Sequence, residues 1–340
     1  MSCVRLHRAH QGCATAGLPS RAARKARLGK PAVAQDTERK SVIRKVWILI
    51  IAGSALCAQA SAASRVQPME KGLEGRDDIL FTETFETHDW FTRWWLTDIP
   101  NNTRVVRDET APGPDKKVVE ITWAKNNHFG AAWSKRIEPG LDEVYARWYV
   151  KFPEGFNFAR GGKTPGLMGW APGKVGGWGG RRVDGTNAFS CRICWDRDRS
   201  INMYTYHADQ RSNFGYSFRT IENGHPVRWQ PKRWYCMELH LRLNTPGAKP
   251  GERGKRDGLI ELWMDDKLIG HVEGVRFRHV AELKIDRLFI NAYFGGRRTS
   301  PRKQVILYDN FVVAKKKIGP IGGGKSKIRN SKSETNPKHE

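Results

Sequence analysis

Hydrophobic residues recur at every second position along most of the chain from about residue 78 onward. Positions 237, 239, 241 and 243 carry Met or Leu, whereas positions 238, 240 and 242 carry Glu, His and Arg. A period of two is typical of a half-buried β-strand. Residues 259–272 alternate on both sides of Asp265-Asp266, which predicts a hairpin with a two-residue turn. Further strands are predicted at residues 79–85, 117–123, 131–137, 144–150, 283–294 and 305–313.

No stretch of the chain shows the 3.6-residue period of a convincing amphipathic helix. A dozen or more short strands, separated by Gly, Pro and Asn turns within about 240 residues, favour an all-β fold. We therefore expect one domain at residues 64–314, a β-sandwich of the jelly-roll (concanavalin-like) type.

The first 63 residues have the pattern of a leader that is removed on export. Arg44-Lys45 precede an apolar segment at residues 46–58, and Ala58-Gln-Ala60 offers a small-residue cleavage site. We expect a secreted or periplasmic protein without a membrane anchor after cleavage, because 13 apolar residues are too few to span a bilayer comfortably. Residues 1–41 precede this signal, so either translation starts near Val42 or the basic n-region is unusually long.

The formal charge of +24 is shared among three parts of the chain. The leader carries +9, residues 315–340 carry +6, and the body carries the remaining +9. A basic body favours an anionic partner. Residues 315–340 contain almost no apolar side chains and are predicted to be a disordered, solvated tail. We do not expect nucleic acid to be the partner.

Three cysteines, Cys191, Cys194 and Cys236, lie beyond the leader. Cys191 and Cys194 point to opposite faces of one strand, so either of them could pair with Cys236 and leave one free thiol. Their spacing does not fit a zinc site, and we expect no metal and no cofactor.

Residues 160–187 contain 10 glycines in 28 positions and are predicted to form a long functional loop. Lys163 lies near its start, and Trp170 and Trp178 lie within it, where they could stack on sugar rings or anchor the loop. The loop lacks the Gly-Lys-Ser/Thr ending and the following helix of a phosphate-binding loop.

Two short strands follow the loop and carry polar pairs at i,i+2 spacing, which places each pair on one strand face. Ser190 and Arg192 lie on the first strand, and Tyr204 and Tyr206 lie on the second, which is expected to be antiparallel to the first. Such a group can neutralise a carboxylate and move a proton beside it, although packing alone also explains strand tyrosines. Further candidates are His128 and, less securely, His207, which faces away from Tyr206 unless the strand ends there.

The sequence shows neither of the two common patterns of hydrolase catalytic residues. Ser190 lies in no Gly-x-Ser-x-Gly elbow. A glycosidase needs two carboxylates that face one bond, and no two of Asp184, Asp196 and Asp209 share a strand face. A hydrolase is therefore the weaker enzymatic hypothesis.

A series of motifs resembles the polysaccharide lyase 14 and 20 type domain of alginate and glucuronan lyases. In order, it comprises Tyr-Ala-Arg-Trp-Tyr-Val-Lys-Phe-Pro-Glu-Gly-Phe at 145–156, Gly-Gly-Lys-Thr-Pro-Gly-Leu at 161–167, Ser-Cys-Arg at 190–192, Tyr-Thr-Tyr-His at 204–207, Leu-Asn-Thr-Pro-Gly at 243–247 and Phe-Gly-Gly at 294–296. The resemblance covers residues 81–313 and implies a jelly roll whose cleft is lined by Lys163, Ser190, Arg192, Tyr204 and Tyr206.

The resemblance implies β-elimination at a 4-linked uronic acid in a polymer such as alginate or glucuronan. Lys163, Arg192, Tyr204 and Tyr206 are the expected catalytic residues, with a phenol whose pKa is lowered by nearby cations as acid or base. Lys163 is a competing base. A non-catalytic carbohydrate-binding sandwich and a glycoside hydrolase are the alternatives. The expected substrate-binding residues are Ser190, His128, His207, Trp170 and Trp178.

Overall fold

The computed structural model of the protein describes residues 70, 72–158, 161–296 and 298–322. These residues all belong to one compact unit that spans Val66–Glu340. The predicted signal peptide lies outside the described residues. Within the described ranges, no helix is long and apolar enough to cross a membrane.

Two antiparallel sheets form the fold, as the alternating pattern predicts. The larger sheet has eight strands among the described residues, in the order β14-β13-β12-β5-β16-β3-β2, with β1 paired to β16. Its strands are β1 Ile79–Glu83, β2 Thr103–Arg107, β3 Lys117–Trp123, β5 Glu143–Lys151, β12 Trp234–Arg242, β13 Gly258–Met264, β14 Lys267–Val275 and β16 Gln304–Ala314.

The smaller sheet has six strands in the described part of the chain, in the order β4-β15-β6-β7-β8-β9. A separate ribbon pairs β10 with β11, and the four-residue helix α1 follows β1. The bounds are β4 Phe129–Leu141, β6 Gly162–Trp170, β7 Ala188–Trp195, β8 Ile201–Tyr206, β9 Tyr216–Arg219, β15 Ile285–Phe294, β10 Ile221–Glu222, β11 His225–Pro226 and α1 Trp90–Arg93.

The hydrophobic core lies between the sheets, and the strand period decides which side chains enter it. On β7, Cys191, Ile193 and Trp195 belong to the core cluster. The intervening Ser190 and Arg192 therefore point to the face of the six-stranded sheet that is turned away from the core. The all-β sandwich fold class is thus confirmed.

The predicted hairpin at Asp265-Asp266 is confirmed. Both residues have positive φ, at 53° and 66°, and β13 pairs with β14 across them. Positive φ at both central positions is the mark of a type I′ turn, whose twist matches that of paired strands.

The prediction of one long glycine-rich loop is wrong, and the possible disulfide between cysteines is not formed. Residues 160–187 are not one loop, because β6 occupies Gly162–Trp170 and pairs with both β7 and β15. The loop proper begins after Trp170. Cys191, Cys194 and Cys236 are all buried and free, so neither of the two possible pairings with Cys236 is formed.

The expectation of disorder from residue 315 also fails for residues 315–322, which lie against the larger sheet. The backbone N–H groups of Ile318 and Gly319 donate to the Glu238 carboxylate at 2.7 and 2.9 Å. The N–H of Ile321 donates to the Tyr149 hydroxyl at 2.7 Å. Main-chain hydrogen bonds to a buried carboxylate order a segment that its composition alone marks as solvated.

Arg147 is a fully buried cation of the larger sheet that has a counter-charge. Its guanidinium donates to Glu70 Oε1 at 2.5 Å and to the Asn310 carbonyl at 2.9 Å. Both side chains of the ion pair are almost completely buried. Removing one partner of such a pair leaves a buried charge uncompensated.

Two carboxyl groups, that of the half-buried Glu86 after β1 and that of the buried Asp309 in the middle of β16, should make the stability of the fold pH-dependent. Burial, followed by the charge of Asp115, raises the pKa of Glu86 to about 7, and burial also raises the pKa of Asp309. A raised carboxyl pKa means that the folded state binds the proton more tightly than the unfolded chain. The stabilisation is complete below the unfolded pKa and is lost as the pH rises through the folded one.

We therefore expect the contribution of Glu86 to the free energy of unfolding to fall between about pH 5 and about pH 8. Glu86→Gln, which imitates the protonated form, should reduce this fall, whereas the exposed Glu109→Gln should not. Urea unfolding of the three proteins at both pH values measures the effect. Identical pH dependence in Glu86→Gln and wild type would contradict the assignment.

Candidate active site

A cavity of about 460 Å³ lies on the outward face of the six-stranded sheet. We call it the main cavity. It is lined chiefly by side chains from β4, β6, β7, β8 and β15 and by residues of the three loops that follow β6, β8 and β15. Its lining includes Lys163, Trp170, Trp178, Arg192, Phe129, Phe214, Tyr204, Tyr206, Arg287, Phe289, Asn291 and Tyr293.

Strand register brings the predicted residues of β7 and β8 together. Arg192 is paired with Tyr204, and Ser190 is paired with Tyr206. Strand β6 approaches β7 closely beside this point, because a Cβ atom on Gly166 would lie 2.0 Å from the Cys191 carbonyl oxygen. Only glycine allows this approach.

Arg192 is a buried cation without a counter-charge among the described residues. Its side chain donates to Asn291 Oδ1 at 3.2 Å and to the Gly177 carbonyl at 3.4 Å, and its Nε has no partner there. Burial lowers the pKa of the guanidinium, which still remains charged at any physiological pH. A buried charge held only by neutral groups is costly unless an anion joins it.

Lys163 is the second cation of the main cavity. Its Nζ lies 4.9 Å from the Tyr204 ring centroid and 5.5 Å from that of Tyr293. Burial lowers the pKa of the amine, and the positive charge of Arg192 acts in the same direction. None of the described residues that line the cavity is acidic. The cavity thus offers two cations to an anionic ligand.

Tyr204 and Tyr206 pack edge to face, and each hydroxyl accepts a hydrogen bond from a backbone N–H. Their rings are perpendicular with centroids 5.6 Å apart. The Tyr204 oxygen accepts from the Gly215 N–H at 3.1 Å, and the Tyr206 oxygen accepts from the Gly180 N–H at 3.2 Å. Burial, followed by the neighbouring Tyr206, raises the pKa of Tyr204. The expectation of a lowered phenol pKa is therefore wrong for Tyr204, because the effect of burial exceeds that of Arg192.

Ser190 is not placed to touch a ligand in the main cavity. Its side chain is completely buried, and its hydroxyl donates to the Gly177 carbonyl at 2.6 Å. The prediction that Ser190 binds substrate directly is corrected by this geometry. Its contact is with the loop after β6.

Trp170 and Trp178 line the outer part of the cavity in a stack of rings and cations. Their ring centroids lie 6.1 Å apart at an interplanar angle of 21°. Arg287 covers the Trp170 ring at 3.6 Å, and Arg181 covers the Trp178 ring at 4.3 Å. Cation–π contacts of this kind fix the rings.

The two candidate histidines lie outside the main cavity. His128 is exposed beside it, with its ring 5.3 Å from that of Tyr293. His207 follows the end of β8 at Tyr206 and lines a different depression together with Asp209 and Tyr216. The prediction that His207 binds substrate in this cavity is therefore corrected.

Strand β15 contributes cavity residues that the sequence analysis did not identify. Asn291, Tyr293 and Phe289 alternate with core residues on this strand, and Asn291 accepts a hydrogen bond from Arg192. An asparagine in the middle of an apolar strand was the available signal. The described residues contain no cluster of three or more His, Cys, Asp or Glu side chains placed to hold a metal ion.

The cationic, aromatic cavity on one sheet of this antiparallel sandwich is suited to an acidic ligand. The family model described as Polysaccharide lyase 14 matches residues 120–311. The chain therefore belongs to polysaccharide lyase family 14, as the motifs predicted.

Solved structures agree with this fold. Alginate lyase vAL-1 from Chlorella virus is 24% identical, with a TM-score of 0.53, over 64% of this chain and 92% of that chain. The marine PL-14 alginate lyase from Aplysia kurodai is 18% identical, with a TM-score of 0.58, over 70% and 99%. A comparison with curated proteins gives no match.

Proposed function

We propose that this polysaccharide lyase cleaves a polyuronate by β-elimination in the main cavity. The observation that supports the proposal is the buried Arg192 guanidinium, together with the half-buried Lys163 amine, in a cavity with no acidic residue among its described lining. A uronate carboxylate supplies the missing counter-charge. We also propose that the protein is exported, on the pattern of residues 44–62.

Arg192 neutralises the carboxylate of the sugar whose C5 proton is removed. A negative carboxylate makes the neighbouring C5–H bond a poor acid, because the electrons left on C5 spread into a group that is already charged. A guanidinium in a cavity of low dielectric stabilises that developing charge strongly. Asn291, which is hydrogen-bonded to Arg192, lies in the same lining and holds the guanidinium in place.

Lys163 serves as the base in its neutral form, and Tyr204 serves as the acid. The lowered pKa of Lys163 increases the fraction of neutral amine, whereas the raised pKa of Tyr204 keeps its hydroxyl protonated. The amine takes the C5 proton, the C–H electrons form the C4–C5 double bond, and the C4–O4 bond breaks. Tyr204 gives its proton to the departing O4.

Incubation with polyuronates tests the proposal. The solved structures similar to this chain include proteins described as alginate lyases, so alginate is the first substrate, followed by glucuronan. We expect new ultraviolet absorbance from the unsaturated uronate, and none with carboxyl-reduced alginate. New reducing ends without absorbance would indicate a hydrolase, and binding without either would indicate a carbohydrate-binding module.

A further inference from the structure

The loop after β6 reaches the proposed catalytic residues through its main chain. We call residues 177–180 the 177–180 turn. Its Gly177 carbonyl accepts hydrogen bonds from Ser190 at 2.6 Å and from Arg192 at 3.4 Å. Its Gly180 N–H donates to the Tyr206 hydroxyl at 3.2 Å. One four-residue turn therefore contacts three of the residues that the sequence analysis assigned to the site.

The conformation of this turn requires glycine. Gly177 and Gly180 have φ values of +78° and +77°, in the left-handed region that other residues rarely adopt. A Cβ atom on Gly177 would lie 3.1 Å from the Phe189 backbone, next to Ser190. The glycines therefore let the turn lie against β7 closely enough to exchange hydrogen bonds with its side chains.

The same turn also reaches the space where a ligand would lie. Trp178 follows Gly177 and lines the main cavity, with its ring stacked on that of Trp170. Arg192 donates to the turn on one side and to Asn291 on the other. The guanidinium thus has two neutral acceptors that fix its direction without cancelling its charge.

We propose that the 177–180 turn is a positioning element, which aligns Arg192 and Tyr206 through main-chain hydrogen bonds, with Ser190 as its anchor rather than as a substrate contact. The proposal rests on the proposed function. In this proposal the buried Ser190 hydroxyl and the glycines of the loop both hold the 177–180 turn in place. Misplacement of a catalytic group lowers the rate of the chemical step more than it lowers binding.

Two variants test the proposal, with turnover of alginate as the measurement. Gly177→Ala strains the turn at the carbonyl that Ser190 and Arg192 share, and we expect kcat to fall about 30-fold while KM stays within about threefold. Ser190→Ala removes only the anchor and should lower kcat about tenfold without raising KM. Gly173→Ala is the matched control, since Gly173 has φ +70° with nothing within 4 Å of its added Cβ.

The double variant Gly177→Ala/Ser190→Ala separates positioning from direct binding. Because both changes act on one hydrogen bond, the double variant should be no slower than Gly177→Ala alone. Thermal melting of each variant confirms that it is folded, and Ser190→Ala alone tests the proposal if Gly177→Ala does not fold.

An increase in KM for Ser190→Ala, or additive losses of kcat in the double variant, would overturn the proposal. Equal activity of Gly177→Ala and Gly173→Ala would also overturn it. A wild type that is inactive on every polyuronate would instead contradict the proposed function.

Discussion

Replacement of Arg192 by methionine is expected to lower kcat about a thousandfold and to leave the protein at least as stable as the wild type. The loss of rate follows because the carboxylate of the substrate is no longer neutralised. Stability is retained or increased because the buried guanidinium of the wild type has only neutral acceptors among the described residues. Steady-state kinetics on alginate and urea unfolding measure the two effects.

Arg147→Met is the matched control, because Arg147 is also buried but is paired with Glu70. This variant leaves the Glu70 carboxylate buried and unpaired, so its free energy of unfolding should fall by about 3 kcal/mol. Its kcat should change little at a temperature where it remains folded. A marked loss of stability in Arg192→Met would contradict the view that the Arg192 guanidinium gains its counter-charge only when an anionic ligand binds.

Lys163→Ala is expected to lower kcat by a factor of about 10² to 10⁴, the usual contribution of a general base. In the wild type, kcat/KM should rise with pH as Lys163 loses its proton, and burial places this rise below the 10.5 of an ordinary lysine. The variant should lose this ascending limb. Added methylamine, which fits the space left by the side chain, should restore part of the rate.

Lys174→Ala is the control for this experiment, since Lys174 is an exposed lysine of the loop after β6. It should keep both the rate and the pH profile of the wild type. An unchanged profile in Lys163→Ala, without rescue by the amine, would assign the proton transfer to another group.

Alternation along the chain predicted the sandwich, because the side-chain period of a strand is independent of its neighbours. The short connection between β7 and β8 predicted their antiparallel pairing. Strand β6 was not predicted, because its glycines weaken the local strand signal. The same glycines allow its close approach to β7 and β15. Asn291 lies on β15, about 100 residues away along the chain from Arg192. The order of strands in the sheet brings the two side chains together.

The sequence also did not reveal how deeply each site residue is buried. The motif placed Ser190 and Tyr204 in the site, but their depth depends on the loop that covers them. Burial keeps the Ser190 side chain away from the cavity, where its hydroxyl anchors the loop. Burial also raises the pKa of Tyr204, although the positive charge of Arg192 lowers it. Local pattern thus predicted that Lys163, Arg192, Tyr204 and Tyr206 lie close together, whereas their burial and their hydrogen-bond partners required the tertiary structure.

The most direct test of carboxylate neutralisation compares wild type and Arg192→Met on alginate and on its methyl ester. An ester has no negative charge to neutralise, so its C5 proton is removed without help from a cation. We predict that the rate deficit of Arg192→Met, measured by ultraviolet absorbance of the unsaturated product, shrinks at least about tenfold on the ester. An equal deficit on both substrates would contradict the account.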